Sequence, residues 1–171
     1  MEDLAKKALS LVKKIQQDSS PRYLPPSEGT RPRSEMVLPR ALVKGTRGYI
    51  EKITNQINGS YEFGWYDGCA VMMRRLIETL LIEAFEKHAI DHKVKNADGD
   101  FIRLSEIINA TIIEPKFNLD KKTKKALPKL KEIGDKSAHN RRFNAHREDI
   151  DNIQAEFRTA IQELLYISGL K

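Results

Sequence analysis

The sequence lacks the residues that several classes of protein require. Cys69 is the only cysteine, which excludes an intrachain disulfide and a thiolate metal cluster. No run of about 18 apolar residues is present, and this argues against a transmembrane helix. The charged start of the chain has no apolar signal core. We therefore expect a cytoplasmic protein from a reducing compartment, with no membrane association.

Common enzyme motifs are also missing: the chain has no glycine-rich phosphate loop, no G-x-S-x-G elbow and no His-Glu-x-x-His pair. His88 and His92 have the i, i+4 spacing of metal ligands, but no cysteine or obvious third ligand accompanies them. We interpret them as solvated histidines at a helix end, and we expect no metal and no cofactor. Cys69 lies between apolar residues and is interpreted as a packing residue rather than a nucleophile.

The chain has enough apolar residues to form a core, and it has an excess of positive charge. It contains 171 residues, of which 40% are hydrophobic, enough for one domain with a real core. Lysine and arginine number 30 against 24 acidic residues, for a formal net charge of +6. This excess mildly favours an acidic partner such as nucleic acid, although solvated lysine faces explain it equally well.

Three regions follow one another along the chain. Apolar residues recur at three- and four-residue steps near the start, which predicts an amphipathic helix over residues 1–18. Residues 19–39 hold five of the seven prolines and are predicted to be an extended linker or arm. Residues 40–171 are predicted to form a helical bundle. The first helix could dock on this bundle or on a partner subunit.

Helical periodicity continues through the third region, and no segment alternates with period two. Asp120 is a plausible N-cap, whereas Pro128 either kinks the helix that follows or begins a new one. The pattern predicts helices at about 40–58 (ending at Asn58-Gly59), 65–90, 101–113, 121 onward and 147–168. The predicted fold is therefore all-α, an antiparallel bundle of four to five helices preceded by the N-terminal helix and the Pro-rich arm.

The segment from Lys121 to Arg147 is the most informative. It contains ten lysine and arginine residues but only two acidic ones, a net charge of +8. Such a strip attracts phosphate groups without sequence preference and makes binding sensitive to salt. A solvated lysine face is the alternative. The residues that we predict to bind nucleic acid are Lys124, Lys125, Lys136, Arg141, Arg142 and His146.

Two stretches also resemble a known family. Residues 130–140 read LKEIGDKSAHN: a basic helix, then Gly with Asp, small residues and a histidine. Residues 69–78 read CAVMMRRLIE and are similar to an alanine-arginine-leucine-glutamate helix. Together they resemble bacterial HEPN-like (higher eukaryotes and prokaryotes nucleotide-binding) domains, in a poorly characterised branch of unknown function. The resemblance covers roughly residues 40–165.

The resemblance implies a helical bundle that forms a homodimer, and many such domains are metal-independent endoribonucleases. Their motif places an Arg four to six positions before a His, with a polar residue between them. The His takes a proton from the ribose 2′-OH, and the Arg stabilises charge on the phosphate. Carried over to this chain, His139 is the base, Asp135 the orienting polar group, and Lys131 or Arg141 the phosphate contact.

This sequence departs from the family motif at one position. Counting back from His139, Gly134 replaces the motif Arg, and Lys131 is the cation one turn earlier. Lysine lacks the planar fork of arginine, so the replacement is not equivalent. A second match runs from Arg141 to His146 with suitable spacing, but it falls in the predicted loop after the motif helix.

Three charged residues on the long central helix are predicted to support this site. Arg74 and Glu78 have the i, i+4 spacing of a surface ion pair, which is the alternative interpretation. Because this helix is predicted to be central, its charges need partners. We expect Arg74 or Arg75 to reach toward the end of the motif helix that carries Asp135 and His139.

Several functions stay open at this point. One is an RNA-cleaving HEPN-like nuclease of phage defence or of a toxin–antitoxin system, with an antitoxin as a possible protein partner. Another is an inactive module of the same fold that binds nucleic acid, a nucleotide or a protein as a dimer, which fits Gly134 better. A third is a structural dimer that exchanges its N-terminal helix. The preferred partner is RNA, and the expected assembly is a homodimer.

Overall fold

The structure, a computed structural model, describes residues 35–171 together with Lys7, Ser10 and Leu11. The chain divides into two compact units, Met1–Arg31 and Pro32–Lys171. The three described residues of the first unit are helical. The rest of the predicted N-terminal helix, and the Pro-rich arm up to residue 34, lie outside the described residues.

The part of the second unit that the structure describes is built from α-helices and contains no strand. One short 3₁₀ helix, Asp91–Val94, follows the central α-helix. The six α-helices are α1 (Arg40–Val43), α2 (Gly48–Glu62), α3 (Tyr66–Lys87), α4 (Leu104–Ile113), α5 (Lys121–His139) and α6 (Arg147–Ile167). The predicted all-α class is confirmed. None of the described helices is long and apolar enough to cross a bilayer.

Helix α3 is the centre of the bundle and packs against α2, α4, α5 and α6. A helix that is apolar around much of its circumference is expected in such a position. Its fully buried side chains are Cys69, Ala70, Met73, Leu76, Ile77, Leu80, Leu81, Ala84 and Phe85. Because the Cys69 side chain is fully buried in this core, its interpretation as a packing residue is confirmed, and burial raises the pKa of its thiol to about 12.

Helix α2 continues past the point where the sequence pattern ends it. The prediction of a stop at Asn58-Gly59 is wrong because the buried Asn58 side chain is used in tertiary contacts. Its Oδ1 accepts the N–H of Leu38 at 3.0 Å, and its Nδ2 donates to the carbonyl of Leu38 at 2.8 Å. The two bonds satisfy the amide inside the core, and the helix runs on to Glu62.

The last residues of the predicted arm belong to the packed unit. Val37 and Leu38 are fully buried. Asn58 holds this segment from α2, and Arg158 of α6 donates from Nε to the carbonyl of Val37 at 2.9 Å. The core of the second unit therefore begins before residue 40.

The two histidines with metal-like spacing do not share a helix. Helix α3 ends at Lys87, and His92 lies in the separate 3₁₀ helix. His88 is half-buried, its Nε2 lies 3.0 Å from the carbonyl oxygen of Ile167, and its ring packs edge-on against Phe117. The prediction that His88 is solvated is wrong. Within the described ranges, no group of three or more His, Cys, Asp or Glu could hold a metal ion.

Helix α5 begins at the predicted cap and crosses α3 at close range. Asp120 accepts the N–H of Lys122 at 2.6 Å, as expected of an N-cap, and Pro128 lies inside one continuous helix. A Cβ placed on Gly134 would lie 2.5 Å from the Cβ of Arg74 and 3.0 Å from the carbonyl oxygen of Ala70. Glycine is therefore what permits this contact between α5 and α3.

Replacing Gly134 with alanine is expected to lower the free energy of unfolding by about 1–3 kcal/mol, because the added methyl group forces the two helices apart. The loss should occur although alanine is the better helix former by about 1 kcal/mol. The matched control is Gly68→Ala in the first turn of α3, where a Cβ would meet no atom closer than 3.5 Å. Urea unfolding of both variants measures the difference, and equal stabilities would contradict the close approach.

Candidate nucleic-acid interface at the end of helix α5

The end of α5, the loop over residues 140–146 and the start of α3 meet at one end of the bundle. Gly134 lies against α3, which fixes the last turns of α5 on that helix. Beyond α5, the N–H of Ala145 donates to Oδ1 of Asp67 at 3.0 Å. The loop is therefore tied to the first turn of α3, just before it enters α6.

An open depression of about 590 Å³ lies at this end of α5. It is lined by Asp135, Lys136, His139, Asn140, Arg141 and Arg142. His139 is the last residue of α5, and its exposed ring makes no hydrogen bond to any residue that the structure describes. The side chain of Asn140 accepts the N–H of Arg142 at 3.0 Å and shapes the start of the loop. The depression thus joins one imidazole to three cationic side chains.

Asp135 is held between two cations from different helices. Arg74 Nε donates to its Oδ1 at 2.7 Å, and Lys131 Nζ donates to its Oδ2. Partial burial favours the neutral carboxyl, but the hydrogen bonds and charges of Lys131 and Arg74 outweigh it and lower the pKa of Asp135. Asp135 is therefore an ionised carboxylate that orients Lys131 and Arg74, and among the described contacts it does not bind His139.

Two of the three predicted supporting residues belong to this network. Arg74 is the arginine that reaches Asp135, and its Nη1 also lies 3.4 Å from Oε2 of Glu78. Arg75 is exposed and forms no ion pair within the described part of the chain. The chain of contacts therefore runs from Glu78 through Arg74 to Asp135 and Lys131, and Arg75 stands outside it.

Gly134 and Arg74 depend on each other for space. Any side chain at position 134 would collide with the stem of Arg74. Because glycine occupies that position, the Arg74 guanidinium can cross the contact between α3 and α5 and reach Asp135. A guanidinium is thus present beside the motif even though position 134 cannot carry one.

The predicted nucleic-acid-binding residues do not form a single group. Lys136, Arg141 and Arg142 line the depression, and Lys136 pairs with Glu132 at 2.7 Å. Lys124 and Lys125 lie at least ten residues before Asp135, about 15 Å away along the helix axis. They form no ion pair with a described residue. The positive strip read from the sequence is therefore spread along the whole of α5.

His146 lies apart from the depression. It is the N-cap residue of α6, where its N–H donates to Oδ2 of Asp149 at 2.7 Å. The capping contact fixes the start of α6 and leaves the His146 ring exposed. The two ends of the second motif match therefore do not share one site: Arg141 lines the depression, whereas His146 caps α6.

Aromatic residues beside the loop were not selected from the sequence. The phenol oxygen of Tyr61 accepts from Arg147 Nε at 3.0 Å and donates to Asp151 at 2.5 Å. Phe63 and Trp65 stack on each other in the turn between α2 and α3. The available signal was a pair of aromatic residues flanking Gly64 at the start of the predicted helix 65–90, which periodicity analysis does not distinguish from ordinary helix-end residues.

Replacing Asp135 with asparagine is expected to lower the free energy of unfolding at pH 7 by about 1 kcal/mol through loss of charge-assisted hydrogen bonds. Because folding lowers the pKa of Asp135, its stabilisation is fully present above the unfolded pKa of about 4. It is lost as the pH falls through the lower folded value. Denaturant unfolding at pH 7 and pH 3 should therefore show a smaller difference between the wild type and Asp135→Asn at pH 3 than at pH 7.

The control for that measurement is Asp98→Asn. Asp98 is exposed in a turn and forms no ion pair with the residues that the structure describes. The free energy of unfolding of Asp98→Asn should differ little from that of the wild type, and the difference should be similar at pH 7 and pH 3. A pH-independent difference for Asp135→Asn would contradict the role of its carboxylate charge.

No family model, curated protein or solved structure matches this chain. The resemblance to HEPN-like domains therefore rests on the two stretches quoted above. What the site can do must be argued from its own residues and their geometry.

Proposed function

We propose that this protein binds RNA at the depression at the end of α5. The observation that carries the proposal is the convergence of Lys136, Arg141 and Arg142 on one open surface beside His139. Arg141 and Arg142 are exposed and form no ion pair with a described residue. Their guanidinium groups can therefore bind phosphate oxygens in the bidentate geometry that arginine favours.

The exposed face of α5 extends this positive surface. With 100° between successive residues, Lys121, Lys125 and Lys136 fall within about 60° of one another around the helix. The helix is about 28 Å long, so a strand that occupies the depression can follow this face past several phosphates. Lys124 and Lys125 then act as remote contacts that add affinity and salt dependence.

The resemblance to HEPN-like domains supports RNA as the nucleic acid and a homodimer as the assembly. In a dimer of that kind, two His139 side chains would face one bound strand. These two parts of the proposal rest on the resemblance, whereas the phosphate contacts rest on the described surface. The cytoplasm as the location is supported by the single cysteine, which is typical of a reducing compartment.

Cleavage of the bound RNA is the second candidate, and the position of His139 favours it. Its ring is exposed, adjoins Arg141 and Arg142 around the depression, and is engaged by no other described group. His139 takes the proton of a ribose 2′-OH, and the 2′-oxygen attacks the adjacent phosphorus. The bond to the 5′-oxygen breaks, and that oxygen gains a proton from solvent. The products are a 2′,3′-cyclic phosphate and a 5′-hydroxyl.

The cations for this step come from the loop. Lys131 and Arg74 are both engaged by Asp135, which neutralises part of their charge. Arg141 and Arg142 are the groups available to stabilise negative charge on the phosphate. Lys131 and Arg74 then act as positioning residues that fix the last turns of α5 under His139.

Charge reversal in the loop should weaken RNA binding. We expect Arg141→Glu/Arg142→Glu to lower the affinity for a single-stranded RNA and to reduce the slope of log K against log salt by about 1.4, for two lost phosphate contacts. Fluorescence anisotropy at four salt concentrations measures both quantities. The matched control is Lys52→Glu/Lys116→Glu, which changes the net charge equally at exposed positions outside α5 and the loop. If both double variants lost the same RNA affinity, the loss would come from net charge alone and not from contacts of the loop arginines.

Cleavage is tested by incubating a mixed cellular RNA pool with the wild type and with His139→Ala in the presence of EDTA. We expect the rate to fall by about 10²–10⁴-fold in the variant, the usual contribution of a general base. RNA affinity and the circular dichroism spectrum should be unchanged. His92→Ala, an exposed histidine on the 3₁₀ helix, should cleave like the wild type. Binding without cleavage by the wild type would reject this candidate and retain the binding module.

A further inference from the structure

A pair of stacked aromatic side chains, the exposed Trp65 and the half-buried Phe63, lies on the turn between α2 and α3. The ring centroids of Phe63 and Trp65 are 5.6 Å apart, with 30° between the ring planes. Gly64 between them has φ +78°, and the N–H of Trp65 donates to the carbonyl of Ser60 at 2.8 Å. The backbone of the turn is therefore defined by this hydrogen bond and by the left-handed conformation of Gly64, and it places the two rings side by side.

Trp65 is not a core residue, since 45% of its surface is exposed. One face of its indole is covered by Phe63, which stiffens the ring without burying it. A half-exposed tryptophan leaves apolar surface in contact with water, and this costs free energy that full burial of the side chain would avoid. The exposed part of the indole is therefore available to stack against a flat, apolar group.

The aromatic pair shares its end of the bundle with the basic loop. Asp67, two residues after Trp65, accepts the N–H of Ala145 at 3.0 Å. Arg147, just after the loop, donates to the hydroxyl of Tyr61, and its guanidinium carbon lies 5.5 Å from the centre of the Tyr61 ring. Tyr61 and Asp67, which lie on either side of the aromatic turn, therefore both contact the segment that carries the cations.

We propose that Trp65, supported by Phe63, is a stacking platform for an unpaired RNA base. The inference rests on the proposed function and specifies its ligand as single-stranded RNA. Every base has a flat π face, so stacking on an aromatic side chain tolerates any sequence. The cations of Arg141 and Arg142 complement the phosphates of the same strand. Bases inside a duplex are stacked on their neighbours and cannot use the platform.

The test uses the full chain and its own fluorescence, because Trp65 is the only tryptophan. The probes are a 12-nucleotide 2′-O-methyl oligoadenylate, which resists cleavage through the 2′-oxygen, and a 12-base-pair RNA duplex. We expect the single strand to quench Trp65 fluorescence on binding. The duplex should leave the fluorescence unchanged even where it binds through phosphate contacts.

Variants separate the platform from the cations. Trp65→Ala should weaken binding of the single strand by about tenfold or more, the usual effect of losing one base–aromatic stack. The slope of log K against log salt should stay as in the wild type, because no phosphate contact is lost. Trp65→Phe should retain most of the affinity. Tyr166→Ala removes an aromatic side chain of α6 that is 76% exposed, and it should bind like the wild type.

The outcomes of these experiments test the stacking platform separately from the proposed RNA binding on which it rests. Salt-dependent RNA binding with no fluorescence change, and with Trp65→Ala equal to the wild type, would overturn the platform and leave RNA binding intact. No RNA binding by the wild type would overturn both. A change in solution mass for Trp65→Ala with unaltered RNA affinity would assign the aromatic pair to a contact between copies of the chain, and would also overturn the platform.

Discussion

The close approach of α5 to α3 at Gly134 is the constraint on which the candidate site depends. The missing Cβ lets the backbone of α5 lie against Ala70 and the stem of Arg74. This contact fixes the position of the last turns of α5, and with it the placement of Asp135 and His139. A wider separation would take Asp135 out of hydrogen-bonding reach of Arg74, and the depression would lose its rigid wall.

The same glycine changes how the departure from the family motif is understood. From the sequence alone, Gly134 stands where the motif of the resembled family has an arginine, which fits an inactive module better than a nuclease but leaves both open. In the structure, Arg74 brings a guanidinium to the same place from the neighbouring helix, where Asp135 engages it. Arg74 and Asp135 therefore belong to a structural network, and under the proposed function the phosphate contacts fall to cations outside that network. The motif by itself no longer separates a nuclease from a binding module.

Much of the fold could be predicted because its causes are local. The broad apolar face of α3 and the cap at Asp120 were both readable from spacing and residue type. The failures involve partners that are distant in sequence. Asn58 reads as a helix stop, but it bonds to Leu38, twenty residues earlier. The net charge of the Lys121–Arg147 segment was counted correctly. A count along the sequence does not show, however, that the two ends of α5 lie more than 25 Å apart. The role of Gly134 likewise depends on Arg74, which spacing alone does not bring close.

The division of labour among the cations follows from these contacts. A cation already paired with a carboxylate gives up a contact when it binds phosphate, whereas an exposed and unpaired one does not. Lys131 and Arg74 are of the first kind, and Arg141 and Arg142 are of the second. The paired cations of α3 and α5 therefore hold the two helices together, and the loop adds two unpaired arginines to the lysines of α5. Because Ala145 ties the loop to α3, those charges lie on an anchored segment, which under the proposed function would lower the entropy lost on binding a strand.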